Sequence, residues 1–262
     1  MKITPDGERY VALAQGARLA RPFHYRWLLP RLCGPEPANW RAVQAGAAAL
    51  LCGAALWYGG FGWRGLFVAV IPAGLAGVIP FHWRYPVLVD LPAMAVALLA
   101  AAAAKHDVWW LAIVAVLIAG TIKETSPVFA ALWAWTPILL IGLVPVAIRA
   151  LQKPGDDVLD DENRWILDHP IRASRKYHRH LPPAVWVLPW GACLFGFADP
   201  TVALLATIVV GYGQCAIATD TVRLYQWAWP PLAVAAAGQI PPRFFLPVLL
   251  IHFVNPFATR GG

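Results

Sequence analysis

Charged side chains are scarce in this sequence. Of its 262 residues, 13% are Asp, Glu, Lys or Arg and 59% are hydrophobic, with a mean hydropathy of +0.57. A soluble domain usually carries about 25% charged residues. The composition therefore argues against an ordinary soluble globular domain and predicts helices embedded in lipid. Paired cysteines are also lacking. Cys33, Cys52, Cys193 and Cys215 form no CxxC pair and have no histidine at ligand spacing, so no zinc site is expected. Residues 1–39 hold no continuous apolar stretch of the kind found in a cleavable signal. Membrane insertion is then expected from the first internal span. No Ser-His-Asp set, phosphate-binding glycine loop, HExxH or haem motif appears, and there is no internal repeat.

The formal charge of +7 does not indicate a nucleic-acid partner. The basic residues fall in the first forty residues and in 152–182, without the interleaved aromatics of a nucleic-acid surface. Basic residues flanking apolar helices ordinarily meet anionic lipid headgroups.

Long apolar stretches fill most of the rest. Spanning the hydrocarbon core takes roughly 20 helical residues, and candidate segments follow one another at 40–60, 65–82, 90–105, 107–121, 127–149, 184–198, 200–218, 226–239 and 243–257. Trp40, Trp57, Trp63, Trp83, Trp109 and Trp110 cluster at segment ends, as interfacial anchors do. Pro72, Pro137 and Pro145 predict kinks. Residues 1–39 alternate apolar side chains with Arg9, Arg18, Arg21, Arg26 and Arg31, the pattern of amphipathic helices lying in an interface. The expected fold is all-α: one polytopic transmembrane helix bundle over 1–262. It comprises an interfacial segment (1–39), a first helix group (40–151), a hydrophilic loop (152–182) and a second helix group (183–257). Within the loop, a short helix is expected over roughly 160–168, ending before Pro170.

Four places put ionisable groups beside apolar segments, where a charge near the membrane centre costs at least about 2.5–3.5 kcal/mol. Asp6 lies in Pro-Asp-Gly, ahead of the stretch containing His24 and Arg26; a turn or cap would explain it on local grounds. Asp90 opens a Leu/Ala-rich helix with Pro92 in its first turn, as an N-cap would. Lys123 and Glu124 sit between two apolar segments, where the lysine could simply snorkel to the interface. Asp220 and Arg223 are three apart, so on a helix they could pair.

Together these stretches resemble the GT-C superfamily of integral membrane glycosyltransferases, which use polyprenyl-phosphate-linked sugars. The likeness rests on PDGERY with PFHYRWLLP behind it, VDLPAMAVALLA, GTIKETSPVF and DTVRLYQWAWPPLAVAAA, in that order along the chain. Two features depart from the family pattern: no apolar span precedes Asp6, and no soluble C-terminal domain follows. The resemblance is thus to a minimal or degenerate member. It implies a polyprenyl-phosphate sugar donor, an acceptor hydroxyl, membrane lipid as surroundings and residence in a bacterial inner membrane. Asp6 would be the base, with Lys123 and Arg223 as phosphate binders. Asp90, Glu124, Asp220, Arg26 and His24 would shape the substrate site, with room for a divalent metal but no requirement for one. Strict alternation of spans places Asp6, Asp90 and Lys123 on one membrane face. Asp220 and Arg223 rejoin them only if 184–198, with Pro189-Trp-Gly191 inside it, is re-entrant. The competing readings are a small transporter or accessory subunit without catalysis, and a membrane acyltransferase.

Overall fold

A computed structural model describes residues 3–155, 165, 168–218 and 222–255, and these are helical with no strand among them. In chain order the α-helices are α1 (Pro5–Ala14), α2 (Leu28–Cys33), α3 (Pro37–Tyr58), α4 (Trp63–Gly74), α5 (Ile79–Arg84), α6 (Asp90–Lys105), α7 (Trp109–Ile122), α8 (Ser126–Ala134) and α9 (Val144–Ala150). They continue with α10 (Pro170–His178), α11 (Ala184–Val187), α12 (Val202–Gln214), α13 (Val222–Tyr225), α14 (Trp229–Gln239) and α15 (Phe245–Val254). Short 3-10 turns join several of them, notably Phe23–Tyr25, Pro137–Leu143 and Leu188–Ala198.

The chain divides into two compact units, one built from 1–51 and 82–165, the other from 52–81 and 166–262. The hub of the first is α6. Its run from Leu91 to Ala104 is almost wholly buried, because small alanines let α7 and α8 approach closely. Glycine allows a second close approach. A Cβ on Gly120 of α7 would lie 1.9 Å from the Gly142 carbonyl oxygen, so only a bare backbone fits there. Helix α6 ends with Asp107 at φ 59°, and the Val108 and Asp107 amides close back on Ala103 and Ala104 in a Schellman motif.

In the second unit, α14 packs on the 188–198 turn and on α4. His252 of α15 is buried, its Nε2 donating to the Ile71 carbonyl at 3.0 Å and its Nδ1 accepting from the Ala192 amide at 3.2 Å. Gly191 lies against that ring at φ 52°, and a Cβ there would fall 2.3 Å from Nδ1. The predicted segment 184–198 is thus broken at Gly191, whose non-helical φ and ψ separate two helical pieces.

Several expectations change. The 127–149 segment is three pieces: α8, a 3-10 stretch and α9. Trp135 at φ 51° ends the first, and Pro137 starts the next. Pro170 begins α10, because proline at N1 lacks only an amide that would be unpaired anyway. The helix expected at 160–168 falls almost wholly outside the described residues. Trp40 is buried and donates its indole N–H to the Gly34 carbonyl, so it is a core residue. Trp63, Trp83 and Trp110 are well exposed. Among the described residues no single helix is long and apolar enough to cross a membrane. The pair Val222–Gln239 and Pro242–Val254, bent by 115°, is long and apolar enough to do so when taken together.

Candidate functional site

Helix α1 carries Asp6, Arg9 and Tyr10. Thr4 caps it, its Oγ1 accepting from the Gly7 amide at 3.1 Å, and Pro5 holds the first turn. Asp6 is therefore a first-turn helical residue rather than a turn or cap. Its carboxylate is favoured by the positive end of the helix dipole and lies 3.4 Å from Arg9 Nη1. The guanidinium of Arg9 rests over the Phe23 ring at 4.7 Å. A Cβ on Gly7 would approach the Val87 carbonyl oxygen to 3.1 Å, which places α1 against the chain leading into α6.

Arg26 follows the 3-10 turn Phe23–Tyr25. Its Nε and Nη2 donate to the two carboxylate oxygens of Glu124 at 2.8 and 2.6 Å, while Nη1 donates to the Tyr10 hydroxyl at 2.9 Å. This is the two-pronged geometry that guanidinium offers and ammonium does not. Burial pushes the Glu124 carboxyl up, but the charge and hydrogen bonds of Arg26, with Lys123 beside it, outweigh this and leave it below its ordinary value. Burial likewise opposes the charge on Arg26, and Glu124 and Tyr10 overcome that effect, so it stays firmly protonated. Burial also raises the Tyr10 phenol well above its usual range. The charges of Arg26, Asp6 and Asp90 all reach it.

Lys123 lies where α7 ends in extended backbone, φ −151° and ψ 128°. Consecutive side chains in extended chain point opposite ways, so Lys123 turns to Asp90 while Glu124 turns to Arg26. The Asp90–Lys123 pair is almost fully buried, with side chains 3% and 4% exposed. This corrects both local explanations. Lys123 does not snorkel outward, and Asp90 is the first helical residue of α6, behind Val89 at the cap position, with its carboxylate engaged by Lys123.

Asp6, Arg26, Asp90, Lys123 and Glu124 thus gather in the first unit, with Arg9, Tyr10 and Phe23 as members that sequence reasoning did not single out. Arg9 and Tyr10 lay inside the PDGERY stretch; their i+3 and i+4 spacing from Asp6 was the available signal. His24 faces elsewhere. It is buried, its Nε2 donating to the Arg149 carbonyl at 2.9 Å, and Arg149 donates back to the His24 carbonyl at 3.1 Å. Arg223 belongs to the second unit, where its guanidinium lies 5.3 Å from the Phe81 ring centre. Asp220 lies outside the described residues.

Among the described residues no three His, Cys, Asp or Glu side chains gather as metal ligands. Asp90 and Glu124 each face a cation, which is not the donor set of a divalent-metal cage. Comparisons with protein-family models, curated proteins and solved structures find no match.

Proposed function

We propose that the chain is an integral membrane glycosyltransferase, moving a sugar from a polyprenyl-phosphate donor to an acceptor hydroxyl, with the Asp6 cluster as its reaction centre. The observation that carries this reading is convergence. Polar stretches around residues 6, 26, 90 and 123, scattered among apolar segments, meet in the first unit: Asp6 with Arg9, Arg26 with Glu124 and the Tyr10 phenol, and Asp90 with Lys123. Such groups are costly beside lipid, and their assembly favours chemistry at a membrane boundary.

The apolar side chains left exposed support the membrane setting. Trp110, Val114 and Ile118 form a stripe along α7, Val202, Leu205 and Val209 one along α12, and Leu246, Leu250 and Val254 one along α15. Helical stripes of this kind are a liability in water and suit lipid contact.

In the proposed reaction the acceptor hydroxyl attacks the anomeric carbon and its proton passes to the Asp6 carboxylate. The bond from that carbon to the phosphate oxygen breaks, and its electron pair leaves with the phosphate. Asp6 is suited to the base role because its side chain is 31% exposed, against 3% for Asp90. The buried Asp90–Lys123 pair and the half-buried Arg26–Glu124 pair hold the helix ends that frame it, and Lys123 and Arg26 would turn from their carboxylates to the departing phosphate.

Asp6→Asn in nanodiscs should abolish transfer from a radiolabelled polyprenyl-phosphate sugar while leaving donor binding near wild type. Lys123→Ala should weaken donor binding as well. Full transfer by Asp6→Asn overturns the assignment. The non-catalytic reading, a transporter or accessory subunit, is favoured by one feature: each cation of the network already faces a carboxylate or an aromatic ring. It predicts that Asp6→Asn alters stability alone.

A further inference from the structure

A second polar feature of the first unit lies apart from the carboxylate network and has the opposite character. A cleft of about 680 Å³ is lined by Arg18, Arg31, Arg149, Lys153 and the buried His24, and among the described residues no Asp or Glu lines it. That volume is in the range of small-molecule sites, about 300–1,000 Å³. Among the described residues the donors of Arg149 go to neutral acceptors: the His24 carbonyl, and Gln152 Oε1 at 2.5 Å. Its charge is therefore held in place by neutral groups. Arg31 and Arg18 lie near enough for their like charges to act on it, and an anion between them would relieve that repulsion.

The backbone builds this cleft. Helix α1 ends in a Schellman motif in which Gly16 takes φ 95° and the Ala17 amide donates to Ala12, so the chain turns sharply and presents Arg18. Opposite it, the Gly155 amide donates to the Leu19 carbonyl at 3.1 Å, and a Cβ on Gly155 would sit 1.8 Å from the Arg18 carbonyl oxygen. That bare contact brings Lys153 beside Arg18.

An adjoining groove of about 280 Å³ shares Trp27, Arg31, Arg149 and Gln152 with the cleft and adds Pro145 and Ile148. A chamber lined by cations thus continues into a groove with apolar walls. We propose that this pair of compartments binds a phosphate ester carried on an apolar chain, the phosphate among Arg18, Arg31, Arg149 and Lys153 and the first carbons of the chain along Trp27, Pro145 and Ile148. Arginine pairs suit phosphate oxygens through parallel N–H donors, and the groove distinguishes a lipid phosphate from a free one. This inference does not rest on the glycosyltransferase reading, since it requires binding and no transfer.

The test uses full-length protein in dodecyl maltoside, with calorimetric binding of three probes: farnesyl diphosphate, inorganic pyrophosphate and farnesol. Farnesyl diphosphate is expected to bind more tightly than either of the others. Arg31→Gln and Lys153→Gln, both at exposed positions, should each weaken it roughly tenfold. Ile148→Asn should weaken farnesyl diphosphate and leave pyrophosphate unchanged. Arg64→Gln, an equal charge change elsewhere, should leave all three unchanged. Equal affinity for pyrophosphate and farnesyl diphosphate overturns the lipid source. Equal losses in Arg64→Gln and Arg31→Gln, or no binding of any phosphate probe, overturn the site.

Discussion

Arg26 grips both oxygens of Glu124 and the hydroxyl of Tyr10, so its removal leaves a half-buried carboxylate and a buried phenol without their donor. Arg26→Ala should therefore cost about 1.5–3 kcal/mol, the range for hydrogen bonds to charged groups. Arg26→Lys should recover only part of it, because an ammonium cannot make the parallel bonds. Unfolding in mixed detergent micelles reads both. Glu124 adds a pH dependence. Its folded value lies below the unfolded one of about 4.3. The stability it contributes is thus complete above that unfolded value and disappears as pH falls through the lower folded value. The stability difference between wild type and Glu124→Gln should hold steady from pH 7 to 5 and shrink on further acidification. A difference that stays flat down to pH 3 would show that the pair contributes nothing through ionisation.

At the scale of helices, packing depends on bare backbone at a few places. Gly120→Ala would place a methyl 1.9 Å from the Gly142 carbonyl oxygen, forcing α7 from the 137–143 turn. A loss of about 1–3 kcal/mol is expected, whereas Gly53→Ala, which meets nothing within 4 Å, should be close to neutral or stabilising. Thermal unfolding of the two variants in the same detergent compares them directly. The helical class and the positions of most helices were legible from apolar runs, since such runs suit nothing else at this hydropathy. The breaks were less legible. Trp135 at positive φ and the kink at Gly191 are set by tertiary contacts, the latter by the His252 ring packed against a missing Cβ. Of the site, Asp6, Arg26, Asp90, Lys123 and Glu124 could be singled out as charges in costly places. Their partners could not, because the Asp90–Lys123 and Arg26–Glu124 pairings join residues 33 and 98 positions apart, beyond any local spacing rule. His24 was grouped with Arg26 by proximity in sequence, yet a 3-10 turn sends the two side chains to different partners.

For the molecule as a whole, the exposed stripes on α7, α12 and α15 bear on the setting in which everything else operates. If those stripes face lipid, the charge network of the first unit lies beside hydrocarbon and gains its strength there. If they face water, the network is an ordinary ion-pair cluster. Single cysteines at Val114, Val209 and Leu250, placed in a variant lacking the four native cysteines, separate these cases when the protein is held in nanodiscs and treated with a charged, water-soluble maleimide. A fourth single cysteine, Lys153→Cys at the exposed rim of the basic cleft, serves as the reactive reference. The three stripe positions are expected to stay unlabelled until detergent replaces the lipid, while position 153 reacts at once. Labelling of Val114, Val209 and Leu250 as fast as position 153 would contradict the membrane setting and the proposed function that depends on it.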